Sequence, residues 1–145
     1  MKWNNDRSLL LSRVCVWIFT VVLGALLLTA PWFWNWVLWR TSVRDVYISV
    51  TYASGIPAAV VLWCLHRLLR NISEEEVFIE ENVQSLRVMS WCLILAALVY
   101  LVGGAFDWYL VVFSAAAAFA GLILRVVKNV FAQAVALKNE NDFTI

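Results

Sequence analysis

The chain has 145 residues, of which 63% are hydrophobic and 14% are charged, whereas soluble globular domains have about 45–50% apolar and about 25% charged residues. This composition excludes an ordinary water-soluble fold, and a formal net charge of +1 excludes the strong basic field that favours nucleic-acid binding. Nine tryptophans are typical of a protein whose aromatic rings lie at membrane–water interfaces. We therefore expect an all-α integral membrane protein that contacts the lipid bilayer and binds no nucleic acid directly.

Four segments are long and apolar enough to cross a bilayer as helices, at about 9–29, 46–65, 88–106 and 110–127. A span needs about 20 apolar residues, because a helix rises about 1.5 Å per residue across roughly 30 Å of hydrocarbon. The first span follows a basic N-terminus, as in a secretory signal, but Leu28 and Pro31 disfavour cleavage after Ala30. The sequence predicts one domain over 1–145, folded as a four-helix bundle with a retained first helix.

A tryptophan-rich segment follows the first span and contains Trp32, Trp34, Trp36 and Trp39. Tryptophan combines a large apolar ring with one hydrogen-bond donor, which suits the membrane–water interface. We interpret the segment as an interfacial aromatic belt on a short helix in the plane of the headgroups. A tryptophan-lined ligand pocket is the alternative interpretation.

Small residues and a proline are concentrated in the second and fourth spans. Pro57 follows Gly55 and removes a backbone hydrogen bond, so a kink is expected near it. Small residues four apart allow close helix approach, and the fourth span contains such pairs: Ser114, Ala117, Ala118 and Gly121. We interpret these residues as packing positions within one bundle, with a homo-oligomer interface as the alternative.

The spans lack the groups that catalysis or ion coupling requires. No charged residue or histidine lies near the middle of a span, which disfavours an ion-coupled transporter. Cys64 and His66 are two residues apart and cannot share a helical face, and Cys15 and Cys92 complete no CxxC pair. We interpret the cysteines as small buried apolar residues and predict no catalytic, cofactor-binding or metal-binding residues.

Lysine and arginine counts predict the orientation of the chain. Nine of these residues lie in the N-terminus, the 66–87 segment and the C-terminal tail, whereas two lie in the other connections. Because basic residues accumulate on the cytoplasmic side, both termini are expected in the cytoplasm.

The third and fourth helices are expected to extend into the cytoplasm over about 74–87 and 125–140. Ser73 and Glu76 have the spacing of a capping box, which predicts a helix beginning at about Glu74 and continuing into the third span. The segment from Gly103 to Tyr109 makes the two helices an antiparallel hairpin. We expect a two-helix stem in which acidic and basic residues lie side by side: Glu76, Glu80 and Glu81 against Arg125 and Lys128.

Three segments of the sequence resemble an uncharacterised bacterial family of small four-span membrane proteins, a domain of unknown function. They are YASGIPA at 52–58 with LHRLLRNI at 65–72, FIEENVQSLR at 78–87, and FAQAVALKNENDFTI at 131–145. The likeness covers the length of the chain, although the tryptophan-rich segment is peculiar to this member. The resemblance implies a location in the bacterial inner membrane and a gene often adjacent to that of a small Cro-type helix-turn-helix regulator. It implies no established catalytic or ligand-binding residue.

These observations predict a non-enzymatic membrane protein that acts as a membrane-bound partner or sensor and binds a small cytosolic transcription regulator through its cytoplasmic extensions. The residues expected to contact that partner are Glu80, Glu81, Asn82, Arg87, Lys138, Glu140, Asn141 and Asp142. The alternative is transport: an oligomeric channel, an accessory subunit of a transporter, or an immunity protein against a membrane-active peptide.

Overall fold

The computed structural model describes residues 2–38 and 42–144, and it describes side chains from Arg7 onward within these ranges. This part of the chain is all-helical and contains no strand. The four helices are α1 (Lys2–Val37), α2 (Arg44–Ser73), α3 (Glu80–Gly103) and α4 (Trp108–Phe143).

Each helix packs against the next one in the chain, giving an up-and-down antiparallel bundle. Within the described ranges, α1 and α4 do not pack against each other, so a cleft separates them over α2 and α3. We call the end that contains Arg13, Ser73 and Phe131 the terminal end, and the end that contains Val37 and Asp107 the distal end. The first and last residues that the structure describes, Lys2 and Thr144, therefore lie toward the terminal end.

The outer surface of the bundle is apolar along most of its length. All four helices are long and apolar enough to cross a membrane, and only 11% of the most apolar window of α1 is buried inside the protein. Exposed leucine, valine and tryptophan side chains cover this surface, and soluble monomers rarely expose apolar patches of that size. The fold is that of a multi-pass membrane protein.

Hydrogen bonds between polar side chains and neighbouring helices connect the bundle from α1 to α4. Trp34 Nε1 donates to Thr51 Oγ1 at 2.9 Å between α1 and α2, and Tyr100 OH donates to Ser54 Oγ at 3.3 Å between α3 and α2. Two serines donate to carbonyls across the α3–α4 contact: Ser90 to Gly121 at 3.0 Å and Ser114 to Ala97 at 2.7 Å. Such bonds matter in lipid because no water replaces a lost partner.

Asp107 stabilises the α3–α4 hairpin at the distal end. Its carboxylate accepts a 3.1 Å bond from the backbone N–H of Tyr109, which caps α4, and a 2.9 Å bond from Tyr47 OH. A capping carboxylate satisfies one of the unpaired N–H groups at a helix start. Asp107 thus fixes where α4 begins and also connects the hairpin to α2.

The tryptophan-rich segment forms the end of α1 and not a separate interfacial helix. Pro31 lies inside α1, which continues to Val37. Trp32 and Trp36 are 76% and 75% exposed, as expected of a belt, whereas Trp34 faces the bundle and packs on Tyr47 with ring centroids 4.8 Å apart. The headgroup-plane helix was therefore the wrong prediction, because burial of Trp34 against α2 keeps α1 continuous. The predicted belt residue Trp39 lies outside the described residues.

The predicted packing residues lie at helix contacts inside the bundle. Gly55 faces α1, where an added Cβ would lie 2.6 Å from Leu27, and at Gly121 it would lie 3.3 Å from the Ser90 carbonyl oxygen. Pro57 and Ser114 are buried, and α2 remains one helix through Pro57. Ala117 and Ala118 are half-buried, with Ala117 lining the cleft.

The three cysteines have different environments. Cys64 is buried in the core and Cys92 is half-buried, whereas Cys15 is exposed on α1. The prediction of a buried residue is therefore wrong for Cys15, because α1 contacts only α2 and most of its surface faces outward.

Candidate functional site: a three-helix stem

The terminal end differs from the expected two-helix stem because α2 takes part in it. α2 continues past the last apolar residues of the second span and ends at Ser73. Leu68 is buried and Ile72 packs on the same core, so a continuous apolar stripe holds this segment helical. Ser73 Oγ donates to the Arg70 carbonyl and accepts from Arg13, hence it does not begin a new helix.

Residues 74–79 form a compact connection, and α3 begins at Glu80. The predicted helix from Glu74 is therefore six residues too early. Glu75 adopts a left-handed backbone conformation with φ of 64°. Because a right-handed α-helix requires a φ of about −63°, the helix cannot continue through Glu75. The Glu76 N–H then bonds to the Asn71 carbonyl at 3.0 Å and returns the chain toward α2.

Asn82 holds this connection in place from inside the protein. Its side-chain amide is 0% exposed. Its Nδ2 donates to the carbonyls of Glu76 and Val77 at 2.9 Å and 2.8 Å, and its Oδ1 accepts from Asn71 Nδ2 at 2.8 Å. Both amide protons are satisfied. The sequence predicts Asn82 as a surface contact for a partner, and this prediction is wrong. Asn82 is a buried support for the connection.

A compact hydrophobic core joins the three helices of the stem. Met89, Leu86 and Cys64 are buried together, and side chains from α4 pack on them: Leu124, Val127 and Phe131. Phe78 from the connection contacts Phe131, with ring centroids 5.6 Å apart. The stem thus consists of the end of α2, the connection, the start of α3 and the second half of α4.

The charges of the stem pair differently from the prediction. Glu81 forms an ion pair with Arg67 of α2 at 2.9 Å, and both side chains are substantially exposed. The Arg125 guanidinium lies over the Trp91 ring, 4.7 Å from its centroid. The expected pairing of Glu81 with Arg125 or Lys128 is therefore wrong, because Glu81 faces α2 and pairs with Arg67.

The remaining predicted partner residues occupy three levels along the helix axis. The Ser90–Gly121 hydrogen bond sets the α3–α4 register and places Glu80 level with Phe131. Lys138 lies seven residues beyond Phe131, or about 10 Å further along the axis. Arg87 lies level with Leu124, where its guanidinium donates to Gln84 at 3.3 Å. The structure therefore separates Arg87 from the other predicted residues.

We use the word tip for the exposed residues Glu80, Glu81, Lys138, Glu140, Asn141 and Asp142. All six side chains are exposed. The four on α4 make no side-chain hydrogen bond or ion pair within the part of the chain that the structure describes. Their side chains have no internal structural role, so they are available for contact with another molecule.

Asn71 and Arg67 also belong to the stem, which the sequence does not predict. Asn71 is buried, and its signal was the unbroken apolar periodicity of 64–72, which placed it on a helix and not in a loop. In the described residues no group of three histidine, cysteine, aspartate or glutamate side chains is arranged to hold a metal ion. The stem is a packed three-helix scaffold with charged side chains at its tip.

The family of the chain follows from a comparison with family models. The model of a protein of unknown function, DUF2975, matches residues 31–145. The chain belongs to the DUF2975 family. A search of curated proteins and a search of solved structures each find no match to it.

The DUF2975 match contains α2, α3, α4 and the connection, whereas it includes only the distal end of α1. The complete stem with its Asn71–Asn82 contact therefore lies inside the region that the family model describes. The first part of α1, before residue 31, lies outside it.

Proposed function

We propose that this DUF2975 protein is a non-enzymatic component of the bacterial inner membrane that binds a cytosolic protein through the tip of its stem. The observation that carries the proposal is the exposed end of α4. From Val135, which is buried, to Phe143, α4 continues for about 12 Å. This segment carries five polar side chains, at 138–142, that make no hydrogen bond or ion pair within the described chain.

The packing of the stem supports the base of this surface at the level of Phe131. Buried Asn82 fixes the connection, and the Phe78–Phe131 contact holds the connection against α4. A preorganised surface loses little conformational entropy on binding. The tip combines Lys138 with Glu140 and Asp142, a mixed charge pattern that favours one partner orientation over others.

The partner we propose is a small Cro-type helix-turn-helix regulator encoded beside the gene, and the orientation we propose is cytoplasmic for both termini. The excess of lysine and arginine at the terminal end supports that orientation. Binding at the membrane would keep the regulator away from DNA, and the tip would release it when the state of the membrane changes.

Co-purification of the full-length protein with that regulator tests the proposal. The variant Glu80→Lys/Glu81→Lys and the variant Lys138→Glu/Asp142→Lys each reverse charges at one level of the tip. The control Arg44→Glu/Asp45→Lys exchanges the charges of an exposed ion pair at the distal end, 3.1 Å long. We expect the control to retain the regulator and the tip variants to lose it, whereas equal retention by all three proteins would contradict the proposal.

The alternative is a homo-oligomer that acts in transport, as a channel, an accessory subunit or an immunity protein. The cleft between α1 and α4 supports it, because a cavity of about 380 Å³ there is open to a second copy and reaches Ala117. The buried polar side chains weigh against a water-filled path, since every one in the described chain has a hydrogen-bond partner. An oligomer measured in detergent, lost in Ala117→Trp, would favour this alternative.

A further inference from the structure

A groove follows the outer surface of the bundle between α1 and α2. It has a volume of about 460 Å³ and is lined by apolar side chains of both helices, among them Leu23, Leu27, Ala59 and Leu62. On α1 it extends from Val16 to Leu27, which corresponds to about 16 Å along the helix. This length is about half of the roughly 30 Å hydrocarbon core. The groove therefore matches the depth of one leaflet.

The floor of the groove is open at Gly24. A Cβ added there would meet no atom within 4 Å, so the space beside the backbone is not filled by the protein. Cavities of about 300–1,000 Å³ are the usual size of ligand sites. Because the groove opens toward the bilayer, a hydrocarbon chain of that length fits it.

Aromatic and polar side chains close the groove at the terminal end. The Trp17 and His66 rings meet edge to face with centroids 6.0 Å apart. Trp63 completes this end, and its ring is largely exposed. Indole and imidazole rings each combine an apolar body with a polar atom, which suits the level of the lipid glycerol and ester groups.

Two arginines lie one helical turn beyond this closure. Each is on the face of its helix that carries the closing ring. Arg13 precedes Trp17 by four residues and Arg70 follows His66 by four, so both are neighbours of the closing rings. Arg13 donates to Ser73 Oγ at 2.7 Å, which leaves most of its five donors available. The Arg70 guanidinium makes no ion pair in the described chain, including with Glu74 one turn further on.

We propose that this groove binds one anionic phospholipid, with an acyl chain along Gly24 and the phosphate between Arg13 and Arg70. The positive guanidinium groups lie where a phosphate would be once the chain fills the groove, and arginine bonds phosphate oxygens in pairs. The site is separate from the tip, and it stands whether or not the stem binds a regulator.

Native mass spectrometry of the full-length protein in detergent tests the lipid site. The probes are dioleoyl phosphatidylglycerol and dioleoyl phosphatidylcholine, which share acyl chains and differ in net charge. Each basic side chain near the membrane surface contributes about a fivefold preference for anionic lipid. We therefore expect Arg13→Gln/Arg70→Gln to reduce the preference for phosphatidylglycerol by roughly 25-fold, and Arg13→Lys/Arg70→Lys to retain most of it.

Two further variants separate the groove from general surface charge. Gly24→Phe adds a ring to the open floor, where its Cβ meets no atom within 4 Å, so it should reduce binding of both lipids at least tenfold while the protein keeps its helical circular dichroism. Arg87→Gln removes an exposed arginine on α3 and should leave the preference unchanged. An unchanged preference in Arg13→Gln/Arg70→Gln, or unchanged lipid binding in Gly24→Phe, would overturn the proposal.

Discussion

The side chain of Asn71, at the end of α2, donates a 2.8 Å hydrogen bond to the side chain of Asn82, at the start of α3. Both residues are buried, and Nδ2 of Asn82 donates to the connection between the two helices. This contact makes α2 part of the stem and determines the path of residues 74–79. It supports the part of the tip that contains Glu80 and Glu81.

Replacing Asn82 by alanine should destabilise the stem strongly. The change leaves the Glu76 and Val77 carbonyls and the Asn71 amide without their partner, and a buried unsatisfied polar group costs about 1–3 kcal/mol. We expect a loss of about 3 kcal/mol in the free energy of unfolding, measured in detergent by SDS titration. Asn141→Ala, an exposed asparagine at the tip, should change it by less than about 0.5 kcal/mol. Equal effects of the two substitutions would show that Asn82 has no special role.

Glycine is required where α3 and α4 meet but not where the lipid-facing groove is open. Gly121→Leu places its side chain against Ile94 and the Ser90 carbonyl, both 3.3 Å from an added Cβ, and overpacking costs about 1–3 kcal/mol. Gly24→Leu is the matched control, because its Cβ meets no atom within 4 Å and the change replaces glycine in a helix, which favours helix formation by roughly 0.5–1 kcal/mol. We expect the first variant to be less stable and the second to be unchanged or more stable by thermal unfolding. The reverse order would contradict the packing described for these helices.

The charge pairing of the stem predicts a specific double-mutant cycle. Glu81→Arg and Arg67→Glu should couple by about 0.2–1 kcal/mol, the range of exposed ion pairs. Glu81→Arg with Arg125→Glu should show no coupling beyond the error, since Arg125 lies over Trp91. The unfolding free energies of the single and double variants give both coupling energies. Coupling to Arg125 alone would restore the two-helix stem expected from the sequence.

The tryptophans of the α1 end should divide into one structural residue and a pair of interfacial ones. Trp34→Phe removes the N–H that bonds Thr51, and such bonds inside membrane proteins contribute about 0.6 kcal/mol on average, up to roughly 1.7. Trp32→Phe should leave stability unchanged, because its ring is largely exposed. Thermal unfolding in detergent compares the two, and a larger loss for Trp32 would contradict the assignment of Trp34 to the α1–α2 contact.

The four spans could be predicted from the sequence because their signal is local. Continuous apolar residues of sufficient length define each span, and the short segment before Asp107 defines the α3–α4 hairpin. The packing of Gly121 and Ser114 also followed from spacing, since small residues four apart are needed wherever backbones approach closely. The family likewise followed from motifs that lie on the stem and at the C-terminus.

The connection at 74–79 could not be predicted, because two local signals conflicted there. The Ser73–Glu76 spacing indicates a helix start, whereas the apolar stripe that reaches Ile72 indicates a continuing helix. The second signal prevails because this stripe packs against Leu86 and Met89. Asn82 was misassigned for a related reason. An asparagine between charged residues appears exposed in the sequence, and only the return of residues 74–79 over it makes it buried.

Site-specific photocrosslinking in intact cells tests the central proposal most directly. A photoreactive amino acid replaces Glu140 at the tip or Asp45 at the distal end of the full-length protein, in cells that produce the neighbouring helix-turn-helix regulator. We predict an adduct with the regulator at position 140 and none at position 45. An adduct at position 45, or no adduct at position 140, would contradict binding of a cytosolic regulator at the tip of the stem.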